Sequence, residues 1–229
     1  MKLTETLLKA GYNQSKSDYF VFTKRQELKL LLNQNFQMKD LGDFKFFLGF
    51  EILRSEKGIL LNQRKYALKL IEDSGLGEAK PVSTSYTTVD FDNGLAREVE
   101  DLVLLDGTVY QRLMGRFMYL THIRSDTTFV VQSLSQFMHQ PKESHVNAAL
   151  RVVKYAKKNP VQYLLFKESK KKDITTYCDL DWASCPVSRK SVTGYCVKHE
   201  KSLISWKSKK HNTIACSSAE VEYISMATT

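Results

Sequence analysis

The sequence predicts a mixed fold of the α+β or α/β class, and three observations lead to this prediction. Apolar residues alternate along residues 44–52, as they do in a strand with one buried face. Apolar stripes at helical spacing run through residues 108–158. Short β-branched runs follow one another after residue 160. The apolar share of the 229 residues is 42%, which suffices for a buried core of ordinary composition.

The N-terminal part is expected to contain a pair of strands followed by a helix. A strand with one buried face is predicted at residues 44–52. The turn at residues 55–58 leads to its partner strand at residues 59–61. Residues 63–73 have apolar side chains one helical turn apart, so we predict an amphipathic helix that ends at Ser74-Gly75.

Residues 80–107 are predicted to form a linker or loop, because they are rich in Ser, Thr and Asp and show no sustained period. The helical pattern then resumes in three apolar stripes. We interpret these stripes as parts of the core rather than as cofactor contacts. They consist of Tyr110, Leu113, Met114, Phe117 and Thr121; of Val130, Val131, Leu134, Phe137 and Met138; and of His145, Ala148, Ala149, Val152, Val153 and Ala156.

The chain after Asn159-Pro160 is predicted to be a second α+β or α/β domain that begins near residue 161. Several strands come first, and the first two flank a charged turn. Residues 217–227 then return to helical periodicity. The predicted strands are residues 162–166, 174–179, 193–199 and 203–207.

Charge and apolar runs narrow the class of protein. Lys and Arg number 34 against 25 Asp and Glu, and the net charge of +9 somewhat favours association with polyanions such as nucleic acid over the alternative of a solvated basic surface. No apolar run approaches the roughly 18–20 residues that cross a bilayer, so no membrane partner is expected. The four cysteines and five histidines lack zinc-ligand spacing. An intracellular protein, cytoplasmic or nuclear, is expected.

Four carboxylates near the C-terminal end are candidates for chemistry: Asp179, Asp181, Glu220 and Glu222. If the last helix packs beside the strand that Asp179 ends, Asp179 and Glu222 can converge, and clustered carboxylates hold Mg²⁺. The same residues also fit structural roles. An Asp at a strand end is commonly a turn residue, a Glu near a helix N-terminus interacts favourably with the helix dipole, and Ser217 with Glu220 fits a capping box. From the residues alone, the structural roles are favoured for each of these acids.

Five blocks of sequence are distinctive: MKDLGDFKFFLGFEI, LNQRKYALKLIEDSGL, YQRLMGRFMYLTHIRSD, YCDLDWASCPVSRKSVTGYCV and ISWKSKKHNTIACSSAEVEY. In order and spacing, and over nearly the whole chain, they resemble the Pol polyprotein of copia-type LTR retrotransposons. That family's Pol carries protease, integrase, reverse transcriptase and ribonuclease H. The resemblance places this chain at the late part of reverse transcriptase and the beginning of ribonuclease H.

The resemblance implies four segments. Residues 1–79 correspond to part of the reverse transcriptase palm and primer-grip region, in which residues 36–52 resemble the end of the palm and the hairpin that grips the primer. Residues 80–107 form a linker, and residues 108–160 resemble the helical thumb or connection. Residues 161–229 resemble a truncated ribonuclease H-like domain with a mixed sheet and a helix.

The resemblance also assigns site residues. The family's catalytic and metal-binding carboxylates correspond to Asp179 and Glu222, and the cofactor implied is Mg²⁺. Asp181 and Glu220 are nearby acids without an assigned role. The partner implied is an RNA–DNA hybrid or another nucleic acid, whose phosphates basic side chains can bind. The expected phosphate-binding residues are Arg112, Arg116, Lys154, Lys207, Lys209 and Lys210.

The chain departs from the family pattern at three places, and the first two departures predict a loss of catalysis. The Tyr-Val-Asp-Asp turn that holds the polymerase metals is expected between the equivalents of Gln26 and Glu27, which are adjacent here, and no such turn occurs elsewhere in the chain. The third and fourth ribonuclease H aspartates are expected beyond Thr229, so Mg²⁺ binding is predicted to be weak or absent. Ser125 also replaces the family's usual proline.

Three functional hypotheses follow. The first is a catalytically defective fragment of a retrotransposon Pol polyprotein. The second is a module that retains nucleic-acid binding, because phosphate contacts need only Lys and Arg. The third is a host-adopted interaction protein whose exposed apolar faces bind a partner.

Overall fold

The computed structural model describes residues 2–16, 22–23, 32, 35–36, 45–85, 102–168, 173–185, 188–212, 214, 217, 219–220 and 222–223. The chain divides into two compact units, residues 1–44 and 45–229. Within the described part of the chain, no helix is both long enough and apolar enough to cross a membrane.

The first unit contains a helix and a small strand pair. Helix α1 comprises Lys2–Lys9. Gly11 follows it with a φ of 79°, a left-handed conformation that commonly terminates helices. Strands β1 (Asn13–Gln14) and β2 (Phe22–Thr23) then pair in antiparallel fashion. The sequence analysis predicted none of these three elements.

The first sheet of the second unit has four antiparallel strands in the order β3-β4-β5-β6. They are β3 (Phe46–Phe47), β4 (Phe50–Ser55), β5 (Gly58–Asn62) and β6 (Tyr163–Phe166). The predicted turn at residues 55–58 is confirmed, because Ser55 pairs with Gly58 across it.

The prediction of one continuous strand over residues 44–52 is wrong. The chain reverses at Leu48-Gly49, where both residues have positive φ (46° and 83°), as a two-residue hairpin turn requires. The buried face is also absent over the described residues of this segment, since Phe46 is 54% exposed. Alternation of bulky apolar residues resembles a strand, and a leucine in a left-handed conformation provides no sequence signal for the turn.

Strand β6 belongs to this first sheet. The sequence analysis grouped residues 162–166 with the C-terminal strands, but Ile59 pairs with Phe166 and Asn62 with Tyr163. The partner strand lies about a hundred residues earlier in the chain, and local patterns cannot identify such a distant pairing.

Four helices form the core of the second unit, as the apolar stripes predicted. They are α2 (Arg64–Asp73), α3 (Thr108–Leu120), α4 (Thr128–Ser135), which follows a 3-10 turn at Ser125–Thr127, and α5 (Glu143–Lys158). Full burial of each large apolar side chain contributes about 1.5–3 kcal/mol to stability. The core side chains are Ala67, Leu70, Ile71, Tyr110, Met114, Phe117, Leu120, Val130, Val131, Leu134, Ala149, Val152, Val153 and Ala156.

Helix α2 ends where the sequence predicted, at Ser74-Gly75. Gly75 has a φ of 67°, and its N–H donates to the carbonyl of Glu72 at 2.9 Å, while the N–H of Leu76 donates to the carbonyl of Ile71 at 3.2 Å. These two bonds satisfy carbonyls that the helix end would otherwise leave unpaired.

The predicted linker is described only at its two ends. Residues 80–85 form neither helix nor strand, and Val103 makes an isolated bridge with Lys142. Residues 86–101 lie outside the described part of the chain.

The second sheet consists of β7 (Ile174–Asp181), β8 (Val192–His199) and β9 (Ser202–Lys210), in that order. We predicted a mixed sheet, but these three strands pair only in antiparallel fashion. Of the predicted C-terminal helix, the described residues at positions 219, 220, 222 and 223 are helical, and the others lie outside the described part. The fold is therefore a mixture of helices and antiparallel sheets, which confirms the α+β alternative.

Candidate nucleic-acid interface

Asp179 and Asp181 lie on one face of β7, because side chains two residues apart in a strand share a face. Asp179 is paired with Gly194 on β8, which is paired in turn with Ser208 on β9. This face borders a groove of about 640 Å³ that separates the second sheet from the start of α4. We call it the sheet groove. It is lined by Ser125, Asp126, Thr128, Phe129, Tyr177, Cys178, Asp179, Asp181, Val192, Gly194, Tyr195, Cys196, Lys198, Leu203, Trp206, Lys207 and Ser208.

We predicted that Asp179 ends its strand, but β7 continues to Asp181. Both aspartates are exposed, and so are the other side chains of β7 except Leu180. One oxygen of Asp179, Oδ1, accepts a hydrogen bond from the Leu180 backbone N–H at 2.9 Å. The carboxylates are therefore accessible from the sheet groove and retain most of their accepting capacity.

Glu220 and Glu222 are exposed residues of the C-terminal helix. The Ser217 hydroxyl accepts a hydrogen bond from the backbone N–H of Glu220 at 3.2 Å, which is the N-cap half of the predicted capping box. Neither glutamate is among the residues that line the sheet groove. The convergence of Glu222 with Asp179 stays a prediction.

The fit of Mg²⁺ to this site can be judged from the carboxylates present. In the ranges that the structure describes, no three His, Cys, Asp or Glu side chains are grouped so as to hold a metal ion. Asp179 and Asp181 alone leave most of an octahedral shell to water or substrate. The described residues do not form the ligand set that the resemblance implies, and we derive no reaction step through a metal.

Two of the six predicted phosphate-binding residues are engaged inside the protein. Arg116 forms an ion pair with Asp73 at 2.9 Å, and its guanidinium lies over the Tyr66 ring. Burial raises the pKa of the Tyr66 hydroxyl, against the lowering influence of Arg116. The Lys210 ammonium group donates a hydrogen bond to the Gln136 side chain and contacts the Cys185 sulfur at 3.7 Å.

The other four predicted basic residues differ in exposure. Arg112 is exposed on α3, whereas Lys154 on α5 is half-buried. Lys207 and Lys209 are exposed and lie two residues apart on β9, so that their side chains share a face. Arg112, Lys207 and Lys209 are therefore the members of the predicted set that a phosphate can reach most easily.

A cationic surface is formed by the β3–β4 hairpin together with the first turn of α2, and the residue patterns missed it. We define the hairpin surface as Lys45, Phe46, Phe47, Leu48 and Lys65. The three apolar side chains are 54%, 49% and 70% exposed, and the Lys65 ammonium lies 5.2 Å from the centre of the Phe46 ring. The resemblance pointed to this segment but not to these side chains. No pattern in the sequence signals the turn that exposes them.

The hairpin is held against the helical core by an aromatic cluster. The Phe50 ring centre lies 5.6 Å from that of Tyr119, which lies 4.9 Å from that of Tyr66. A side chain at Gly49 would approach the Tyr119 hydroxyl to 3.3 Å, so the turn sits close to the helix. This packing fixes the turn end of the hairpin and leaves the side chains of Phe46, Phe47 and Leu48 accessible.

Comparison with known proteins identifies the lineage of the chain. A reverse transcriptase (RNA-dependent DNA polymerase) family model matches residues 7–88. An uncharacterized mitochondrial protein of Arabidopsis thaliana is 33% identical over 198 residues, which cover 86% of this chain and 80% of that protein. No solved structure matches the chain.

Retrotransposon proteins match over the same extent. The retrovirus-related Pol polyprotein from transposon RE2 of Arabidopsis thaliana is 35% identical over 86% of this chain, and the one from transposon TNT 1-94 of Nicotiana tabacum is 30% identical over 89%. The chain spans only 13% and 16% of these two polyproteins. The chain belongs to the family of copia-type retrotransposon Pol polyproteins and is related to their reverse transcriptase part.

Proposed function

We propose that this chain is a nucleic-acid-binding segment of a copia-type Pol protein, that it binds through the hairpin surface, and that it lacks polymerase chemistry of its own. The observation that supports this proposal most directly is the exposed Phe46 ring, whose centre lies 5.2 Å from the Lys65 ammonium of α2. Phe46 and Phe47 are both about half exposed.

Both components of the hairpin surface have a use in binding a polynucleotide. Aromatic rings stack on unpaired bases of any sequence, and ammonium groups neutralise the phosphates beside them. The hairpin is also anchored by the Phe50–Tyr119 contact, so little order has to be gained on binding. A strand end or overhang next to an RNA–DNA hybrid offers both unpaired bases and phosphates, and we propose it as the ligand.

The proposal excludes polymerisation by the family mechanism. The Tyr-Val-Asp-Asp turn expected from the resemblance is missing between Gln26 and Glu27, inside the chain. Without its aspartates, the polymerase metals have no ligands at that position. For ribonuclease H chemistry, we propose weak or absent activity, since the acids that line the sheet groove are Asp179, Asp181 and Asp126, and Asp126 is paired with Arg124.

A binding measurement with matched variants tests the proposal. Fluorescence anisotropy of a labelled RNA–DNA hybrid with a single-stranded overhang should show binding that weakens linearly on log–log axes as salt increases. Phe46→Ala should weaken binding about tenfold, because stacking is worth roughly 1–3 kcal/mol per base.

The control is Leu105→Ala, a change of a fully exposed apolar residue close to the start of α3, at the opposite end of that helix from Tyr119. It should leave the affinity unchanged. Equal losses in the two variants, or an affinity independent of salt, would contradict binding by the hairpin surface. Robust primer extension by the wild-type chain would contradict the proposed lack of polymerase activity.

A further inference from the structure

We propose that the sheet groove binds an unpaired guanine nucleotide, as a site separate from the hairpin surface. Four features of the groove lead to this inference: open space above the middle strand, buried hydroxyl groups without partners, aromatic walls, and paired carboxylates that can only accept hydrogen bonds. None of them depends on a metal ion.

The space arises from Gly194 at the middle of the sheet. It lies between Asp179 on β7 and Ser208 on β9, and a Cβ placed on Gly194 would meet no atom within 4 Å. Adjacent strands are about 4.8 Å apart, so the carboxylate and the hydroxyl flank an opening two strand spacings wide. The groove volume of about 640 Å³ lies within the range of small-molecule sites, which is roughly 300–1,000 Å³.

Two hydroxyl groups in the groove are buried without a hydrogen-bond partner. Ser208 is only 7% exposed, and neither its Oγ nor the buried Oγ1 of Thr128 is paired within the described structure. Both residues line the sheet groove, from the sheet side and the α4 side respectively. A buried hydroxyl without a partner destabilises a protein, and a ligand with polar edges would satisfy both groups.

Aromatic side chains provide surfaces on which a flat ring can stack. Tyr177 and Trp206 flank Cys196 across the sheet, and Phe129 faces them from α4. The Trp206 ring is fixed, because its Nε1–H donates to the Thr121 carbonyl at 3.0 Å. Fixed aromatic rings stack on bases without a large entropic cost.

The carboxylates select the base. Ionised Asp179 and Asp181 only accept hydrogen bonds. Guanine presents an N1–H and an exocyclic N2 amine side by side, which match the two oxygens of one carboxylate. Adenine, cytosine and uracil each place an acceptor beside their donor and would meet repulsion there. The Lys198 ammonium, 5.1 Å from the Tyr177 ring centre, is placed at the groove to bind the phosphate.

Calorimetric titration of the full chain with each of the four nucleoside monophosphates tests this site. EDTA in the buffer excludes binding through a metal ion. GMP should bind at least about tenfold more tightly than AMP, CMP or UMP, because one bidentate pair discriminates by roughly that factor or more.

Two variants separate binding from folding. Gly194→Val fills the opening with a residue that favours strands, so GMP binding should be lost while the thermal midpoint stays the same or rises. Ser208→Ala should weaken GMP binding about tenfold without lowering the midpoint, since it removes an unpaired buried hydroxyl. A GMP affinity that Gly194→Val leaves unchanged overturns the proposal, as do equal affinities for all four nucleotides or no GMP binding at all.

The experiment also identifies the source of the guanine and separates this site from the proposed function. Single-stranded RNA with guanines should compete with GMP, whereas the same RNA without guanines should not, if the groove takes an unpaired base from a strand. If neither RNA competes with GMP, the groove binds free nucleotides and not a base from a strand. Phe46→Ala should weaken hybrid binding and leave GMP binding intact, so either proposal can fail alone.

Discussion

The guanidinium of Arg124 lies 2.9 Å from the carboxylate of Asp126, in a pair whose arginine is almost fully buried. Arg124 also donates to the backbone carbonyls of Ala156 and Asn159, at 3.3 and 2.8 Å. The Tyr155 hydroxyl donates to Asp126 at 2.7 Å. Burial raises the pKa of this hydroxyl, and the Asp126 carboxylate raises it further. The network joins the segment after α3 to the end of α5.

Arg124→Ala should therefore lower the free energy of unfolding by about 3 kcal/mol, because it leaves the partly buried Asp126 carboxylate without its positive partner and two carbonyls without their donor. Urea denaturation followed by circular dichroism measures the change. Arg112→Ala serves as the control, since Arg112 is exposed on α3, and it should stay within about 0.5 kcal/mol of the wild type. A similar small change for both variants would show that the network adds little stability.

Gly58→Ala should destabilise the protein by about 2–4 kcal/mol. Gly58 has a φ of 131°, and an added Cβ would collide with the Phe166 carbonyl on the neighbouring strand β6. Gly77→Ala is the matched control, because a Cβ there meets nothing within 4 Å. Thermal denaturation of the two variants should show a much lower midpoint only for Gly58→Ala, and equal midpoints would contradict the β5–β6 pairing.

Stability should fall at alkaline pH, and Tyr110 should contribute to the loss. This residue is 1% exposed, its hydroxyl donates to the Leu134 carbonyl at 2.8 Å, and burial raises its pKa. The unfolded chain loses the tyrosine proton near pH 10, before the folded chain does, so the free energy of unfolding decreases as pH rises above about 10.

Tyr110→Phe should cost about 1 kcal/mol at neutral pH, through the lost hydrogen bond, and should reduce the slope above about pH 10. Denaturation midpoints of both proteins between neutral and alkaline pH measure this difference. Parallel curves would rule out a Tyr110 contribution.

Arg116→Gln should affect stability more than binding. Its ion pair with Asp73 joins α3 to the end of α2, but both side chains are partly exposed, at 23% and 42%. We expect a loss of at most about 1 kcal/mol in stability and no change in the salt dependence of hybrid binding. Salt titrations of wild type and variant provide the measurement, and a slope reduced by about one would restore Arg116 as a phosphate contact.

The helical core was predictable from the sequence because its information is local. The side chains of α2 and α3 recur at steps of three and four residues, and Gly75 follows the end of α2 at the expected place. The β3–β4 hairpin was not predictable, since Leu48 adopts a left-handed conformation that leucine rarely takes. Contacts of the surrounding fold impose this turn.

The candidate sites were predictable only in part. The sequence identified Asp179 as a candidate, but the strand it lies on extends further and is exposed on both faces. Arg116 and Lys210 matched the expectation for phosphate binding by residue type, although each has a protein partner. A charge in the sequence does not show which opposite charge lies beside it after folding.

By itself, the sequence determined the basic charge, the apolar faces of the helices, the family resemblance and the absence of the polymerase turn between Gln26 and Glu27. Only the tertiary structure decided that β6 pairs with β5, and that Asp179, Gly194 and Ser208 share one row beneath an open groove. The physical reason is range: periodicity and turn chemistry act over a few neighbouring residues, whereas strand pairing and cavities depend on residues that are distant in the chain.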